Sequence, residues 1–137
     1  MKKILVADDR AISRELVRSV LESCGYEVYE AADGVEALEQ AHQVHPDVII
    51  LDLQMPRLDG FGVVSELRRD PAFDHVPVMA LTASAMTGDR ERALSSGFTG
   101  YVAKPIRVAA LRGEVERMVE LTKSTPISAN PSGPLVP

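Results

Sequence analysis

The chain has 137 residues, 45% hydrophobic and 26% charged, the composition of one globular domain able to bury a core without disulfide or metal staples. A net charge of -5 argues against nucleic acid as a direct ligand, because phosphate binding draws on a basic face. No apolar run approaches a membrane span, and the four apolar residues between Lys3 and Asp8 are too few for a signal peptide, so a soluble cytoplasmic protein is expected.

In chain order, Ile4-Leu5-Val6-Ala7 reads as a buried strand stopping at Asp8-Asp9. A helix follows over about 11–24, with Ile12, Leu16, Val20 and Leu21 as its expected core stripe and Gly25 as its stop. Cys24, the single cysteine, cannot form an internal disulfide and reads as inert packing. Residues 26–31 alternate as a second strand. Asp33 with Glu36 predicts a capping box opening a helix from Gly34 to about Val44, closed by Pro46. The run Val48-Ile49-Ile50-Leu51 is β-branched and unalternated, as a strand buried on both faces of a parallel sheet requires, and it delivers Asp52 at its end.

After Asp59-Gly60 a third helix reaches about Arg69, with Phe61, Val64 and Leu67 at core spacing, and Asp70-Pro71 breaks it. A fourth strand spans about 76–81 and meets Thr82. A polar helix opens at Thr87 and stops at Gly97. Tyr101-Val102-Ala103 is a short fifth strand before Lys104-Pro105, and a last helix over about 106–121 carries Val108, Leu111, Val115, Met118 and Val119. Such alternation predicts an α/β fold: a doubly wound, five-stranded parallel sheet of order 2-1-3-4-5. A domain is expected over 1–121. The remaining 122–137, holding four of the chain's nine prolines, reads as a disordered tail or a linker stub.

Ligands of such sheets bind outside the carboxyl ends of the strands, where strand order reverses. Strand one ends on Asp8 and Asp9, strand three on Asp52, strand four on Thr82 and strand five on Lys104. Three converging carboxylates need counter-charge. Lys104 offers one unit, and oxygen-only ligands favour a hard divalent cation such as Mg2+. One carboxylate can then attack phosphorus while Thr82 and Lys104 bind phosphoryl oxygens.

Taken jointly, Val6-Ala7-Asp8-Asp9, Asp52-Leu53-Gln54-Met55-Pro56-Arg57-Leu58-Asp59-Gly60, Ala80-Leu81-Thr82-Ala83 and Gly97-Phe98-Thr99-Gly100-Tyr101-Val102-Ala103-Lys104-Pro105 make the chain, across about residues 2–121, resemble the receiver domain of two-component response regulators. The resemblance implies that Asp52 is the phosphoacceptor, and that Asp8, Asp9, Asp52 and the backbone carbonyl of Gln54 hold Mg2+. It implies further that Thr82 and Lys104 grip the phosphoryl group beside a small Ala83, and that Lys104-Pro105 is cis. The donor would be a phosphohistidine on a histidine kinase or phosphotransfer protein, and the chain would later hydrolyse its own aspartyl phosphate. Thr82 and Tyr101 would act as the switch that reshapes the face of the fourth helix, fifth strand and fifth helix. That face would meet a downstream protein or a second copy in a dimer.

Gln54 and Ser84 stand near the path of attacking water and are expected to tune the lifetime of the phosphoryl group. Arg10 either competes for the acidic pocket or points away. His42, His45 and His75 are expected at the surface with no donor or metal role. Two rivals fare worse. A phosphatase with an aspartate nucleophile wants a second acid where Gln54 stands, and a flavin module wants a Gly/Ser/Thr-rich loop where Asp8-Asp9 would repel phosphate. A receiver-like scaffold that takes no phosphoryl group is the third alternative. The tail is too short for an output domain, which leaves a stand-alone regulator or a fragment of a longer one.

Overall fold

The structure, a computed structural model, describes residues 2–83 and 87–124. Strands and helices alternate: β1 (Lys3–Ala7), α1 (Ala11–Ser23), β2 (Glu27–Ala31), α2 (Gly34–Val44), β3 (Val48–Asp52), α3 (Gly60–Arg68), β4 (Val78–Thr82), α4 (Thr87–Ser95), β5 (Gly100–Ala103) and α5 (Val108–Ser124). A single 3-10 turn at Pro71–Phe73 fills the break that Asp70-Pro71 predicts. The sheet is parallel, in the expected order β2-β1-β3-β4-β5.

The central strands β1, β3 and β4 are almost wholly apolar because both faces are covered, whereas the edge strand β2 carries Glu27 and Glu30. Leu5, Ala7, Ile49 and Leu51 pack with Ala37 and Ala41 of α2 and Val63, Val64 and Leu67 of α3. Ile4, Val6, Val48 and Ile50 turn the other way, onto Val17, Val20 and Leu21 of α1 and Leu111, Val115 and Met118 of α5. Adjacent residues thus serve opposite layers, as the two-residue period of a strand dictates.

Several expectations need correction. Ile12 is 85% exposed and Leu16 41%, while Val17 takes the buried place. Ile12 and Leu21 are nine positions apart, and at about 100° per residue they lie on opposite sides of α1. Val108, the first residue of α5, is 45% exposed, and Ile106 packs on the core instead. Phe61 is half-buried but does pack against the core, where Val63 joins Val64 and Leu67. α5 continues to Ser124 rather than about Leu121. The expectations for Ser84 and for the rest of the tail lie outside the described residues.

Local chemistry sets the helix starts. Asp33 accepts from Glu36 N at 2.8 Å, as a capping box requires, but Glu36 reaches back to Ala32 N at 2.6 Å, one residue before the cap. Asp59 caps α3 by accepting from Gly62 N at 2.8 Å. Between β3 and α3, Arg57 sits at φ 69° while Leu58 N donates to Pro56 O at 2.7 Å, a three-residue turn of the strained hand. This loop presses on the start of α2. A Cβ at Gly34 would lie 1.8 Å from Leu58 O, a backbone atom that cannot swing aside.

α4 is attached differently. Among its described residues only Ala93 is buried. The Arg90 guanidinium lies 5.5 Å from the Tyr101 ring centre, and that of Arg92 lies 4.0 Å from Phe61.

His42 and His45 flank Phe73, the first edge-on at 5.2 Å and the second stacked at 6.0 Å. The Leu38 carbonyl, 2.8 Å from His42 Nδ1, and then the Asp70 carboxylate, 3.2 Å from Nε2, favour the doubly protonated ring and raise its pKa above the ordinary 6.5. The stability this supplies is complete below pH 6.5 and fades as pH rises through the raised value. An NMR titration should therefore place the His42 midpoint above 6.5, and Asp70→Asn should lower it. Gly34→Ala should cost at least about 2 kcal/mol in urea unfolding, since backbone must move to admit the methyl.

Candidate functional site

The sheet register builds the site. Ala7 pairs with Leu51, so the next residues on those neighbouring strands, Asp8 and Asp52, emerge side by side at the carboxyl edge. Asp8 is fully buried and Asp52 is 6% exposed. Asp9 follows on the solvent side, and single carboxylate oxygens of Asp8, Asp9 and Asp52 all lie within 4.8 Å of one another. The expected three acids are thus gathered in one place.

Lys104 arrives from the opposite side of the sheet. Thr82 pairs with Ala103, and Lys104 N donates to Thr82 O at 2.7 Å, which fixes the lysine just beyond β5. Its side chain crosses the end of β4, and Nζ donates to Asp52 Oδ2 at 3.0 Å and to Asp8 Oδ2 at 3.1 Å. The Lys104-Pro105 bond is cis, as expected. Asp8 Oδ1 accepts from Arg10 N at 2.9 Å, and Asp52 Oδ1 accepts from Gln54 N at 3.0 Å.

Burial pushes the pKa of Asp52 up, and the Asp8 charge pushes the same way. The Gln54 amide and Lys104 pull against them without cancelling them, and the net direction is upward. Burial works to lower the pKa of Lys104, but its bonds to Asp52 and then Asp8 outweigh it and hold the ammonium above its usual value. Both directions describe one arrangement: a cation confined among more negative charge than it balances.

Thr82 is buried at the end of β4, and with Gln54 and Ala83 it lines a pocket of about 210 Å3 beside Asp52. Tyr101, on β5, is half-buried against the core under Arg90. It borders a groove of about 850 Å3 shared with Lys104, Arg107, Glu114 and Arg117. The Gln54 side chain is exposed, and its position after Asp52 offers an amide where a second acid would stand. Among the described residues, no ion pair joins Arg10 to the acidic cluster. The three histidines lie elsewhere: His42 and His45 against Phe73, and His75 in the turn before β4.

One contact has no precedent in the sequence pattern. Arg14 donates to the main-chain oxygen of Asp8 at 2.7 Å and to Glu30 at 2.8 Å. Nothing in the spacing of Arg14 and Glu30 marks them, because they meet only through the parallel pairing of Val6 with Glu30.

Comparison with known proteins agrees with this geometry. The model of the response regulator receiver domain matches residues 4–116. The polar-differentiation response regulator DivK of Brucella ovis is 37% identical over 123 residues, which cover 90% of this chain and 94% of the relative. The chemotaxis response regulator CheY4 of Vibrio cholerae superposes with a TM-score of 0.82 at 35% identity, covering 86% of this chain and 98% of that one. The receiver domain of the sensor histidine kinase PA1611 from Pseudomonas aeruginosa gives a TM-score of 0.80 at 35% identity over 87% of this chain and 98% of its own; that structure has a magnesium ion coordinated in its active-site cleft.

The chain therefore belongs to the response regulator receiver family, the signalling domains of two-component systems. No helix among the described residues is long and apolar enough to cross a membrane.

A carboxyl whose pKa is raised by folding supplies stability below its unfolded value, and that stability is lost as pH rises through the folded one. Ionised Asp52 is thus a cost at neutral pH. Without added metal, Asp52→Asn should raise the urea midpoint at pH 7. The gain should vanish when the urea titration is repeated well below the ordinary carboxylate range.

Proposed function

We propose that Asp52 is the phosphoacceptor of this receiver, charged by a phosphohistidine on a histidine kinase or phosphotransfer protein. The observation that supports this best is the gathering of Asp8, Asp9 and Asp52 around one ammonium. Three negative charges facing one positive leave two unbalanced, the charge of a divalent cation. Oxygen-only donors at this spacing fit Mg2+, held by the carboxylates of Asp8, Asp9 and Asp52 and by the Gln54 carbonyl. When bound, that ion supplies positive charge to the phosphoryl oxygens.

A carboxylate oxygen of Asp52 attacks phosphorus, the P–N bond of the donor breaks, and the imidazole departs with the bonding pair. Lys104 already reaches Asp52, so a short swing of Nζ would carry its hydrogen bonds to a phosphoryl oxygen. The Thr82 hydroxyl would take a second oxygen, with room provided by the pocket beside Ala83. Hydrolysis of the acyl phosphate then restores Asp52. Gln54 offers no proton to a leaving alcohol, so a self-resetting switch fits better than a phosphomonoesterase.

The readout runs through Thr82 and Tyr101. As Thr82 closes on the phosphoryl group, Tyr101 would turn inward and the groove between α4, β5 and α5 would change shape for a downstream protein or a second copy. A single unpaired cysteine suits the reducing cytoplasm where such kinases present their phosphohistidine.

Incubated with acetyl phosphate and Mg2+, the wild-type chain should gain an acid-stable, hydroxylamine-sensitive label, and either Asp52→Asn or EDTA should abolish it. Labelling of Asp52→Asn at the wild-type level would overturn the assignment.

A further inference from the structure

We infer that Arg14 is a positioning residue for the acidic cluster: it fixes the peptide between Asp8 and Asp9, and through it the relative aim of their carboxylates. The inference rests on the proposed reading of that cluster as a cation site.

Asp8 is held at four points. Its N–H donates to Ala31 O at 3.1 Å, Oδ1 accepts from Arg10 N at 2.9 Å, and Oδ2 accepts from Lys104. Its main-chain oxygen accepts from Arg14 Nη1 at 2.7 Å. That oxygen and the amide of Asp9 belong to one planar unit. Holding the oxygen therefore sets the direction in which Asp9 leaves the strand. Asp9 has few other restraints, being exposed and, among the described residues, without an ion pair.

Arg14 is itself braced. Its Nε donates to Glu30 Oε1 at 2.8 Å, and Arg18 binds the other oxygen of Glu30. Arg14 and Glu30 are only 20% and 25% exposed. Burial works to raise the pKa of Glu30, but the hydrogen bonds from Arg14 and Arg18 outweigh it and hold the carboxyl below its ordinary value. The rigid fork of a guanidinium serves carboxylate and carbonyl at once, which a lysine with a single nitrogen at the end of a flexible stem does poorly.

Arg18 is a built-in control, because it binds the same Glu30 without touching Asp8. A general staple between α1 and β2 would make any loss of Mg2+ affinity follow the loss of stability, whichever arginine is replaced. A positioning role separates them.

The test measures Mg2+ binding to the full chain by calorimetry, and by the amide shifts of Asp9 and Arg10, for wild type, Arg14→Met, Arg14→Lys and Arg18→Met. Stability is read separately by urea unfolding in EDTA. Arg14→Met should weaken Mg2+ binding about tenfold and Arg14→Lys by less, while Arg18→Met stays within about twofold of wild type. In labelling with acetyl phosphate, Arg14→Met should raise the half-saturating Mg2+ concentration about tenfold, with the plateau rate within about twofold of wild type.

Wild-type Mg2+ affinity in Arg14→Met, or equal losses in Arg14→Met and Arg18→Met, would overturn the inference while leaving the cation site intact. If Arg14→Met does not fold, unchanged affinity in Arg14→Lys does the same. A wild-type chain that binds no Mg2+ would instead overturn the reading of the cluster, and this inference with it.

Discussion

An ammonium held between two buried carboxylates organises this molecule. Parallel pairing of β1 with β3 forces Asp8 and Asp52 out of the sheet as neighbours, at the one edge where no further strand covers them. Either acid alone would be expensive to bury, and together they repel. Lys104, delivered past the end of β4, relieves part of that tension and leaves the remainder in place. The raised pKa of Asp52 expresses the remainder. The edge thus carries a standing electrostatic deficit, which the fold tolerates because its apolar layers on both faces are continuous.

The architecture was legible because it follows from composition along short runs. Val48-Ile49-Ile50-Leu51 suits a strand with no wet side, and Asp8, Asp52, Thr82 and Lys104 each stand at the end of a largely apolar strand. In the order 2-1-3-4-5, the commonest for such alternation at this length, those ends converge. Faces of helices were less legible. Ile12, Leu16, Val20 and Leu21 looked like one stripe, yet the spacings of four, four and one accumulate until the first and last oppose each other across α1. Val108 lies at the first position of α5, where periodicity inside the helix says little about burial.

Contacts that depend on register between distant segments were not legible at all. Arg14 and Glu30 meet because β2 lies beside β1 at one particular offset. The same holds for Gly34, whose place under Leu58 O is decided by how the loop after Asp52 turns at Arg57. These are the parts that steady the acidic edge from behind: one grips the strand end carrying Asp8, the other seats the loop leaving Asp52. Both lie in segments where a short sequence window shows only ordinary polar residues and a glycine.

The attachment of α4 has a further consequence. With Ala93 alone in the core among its described residues, and two guanidiniums resting on Tyr101 and Phe61, the helix adheres through contacts worth about 1 kcal/mol or less each. Among its described residues, a shift of this helix would disturb Ala93 and two ring contacts, while the larger side chains of both core layers belong to other elements. On this side the domain's skin is thus held by charge resting on ring faces, with one small methyl seated beneath it among the described residues.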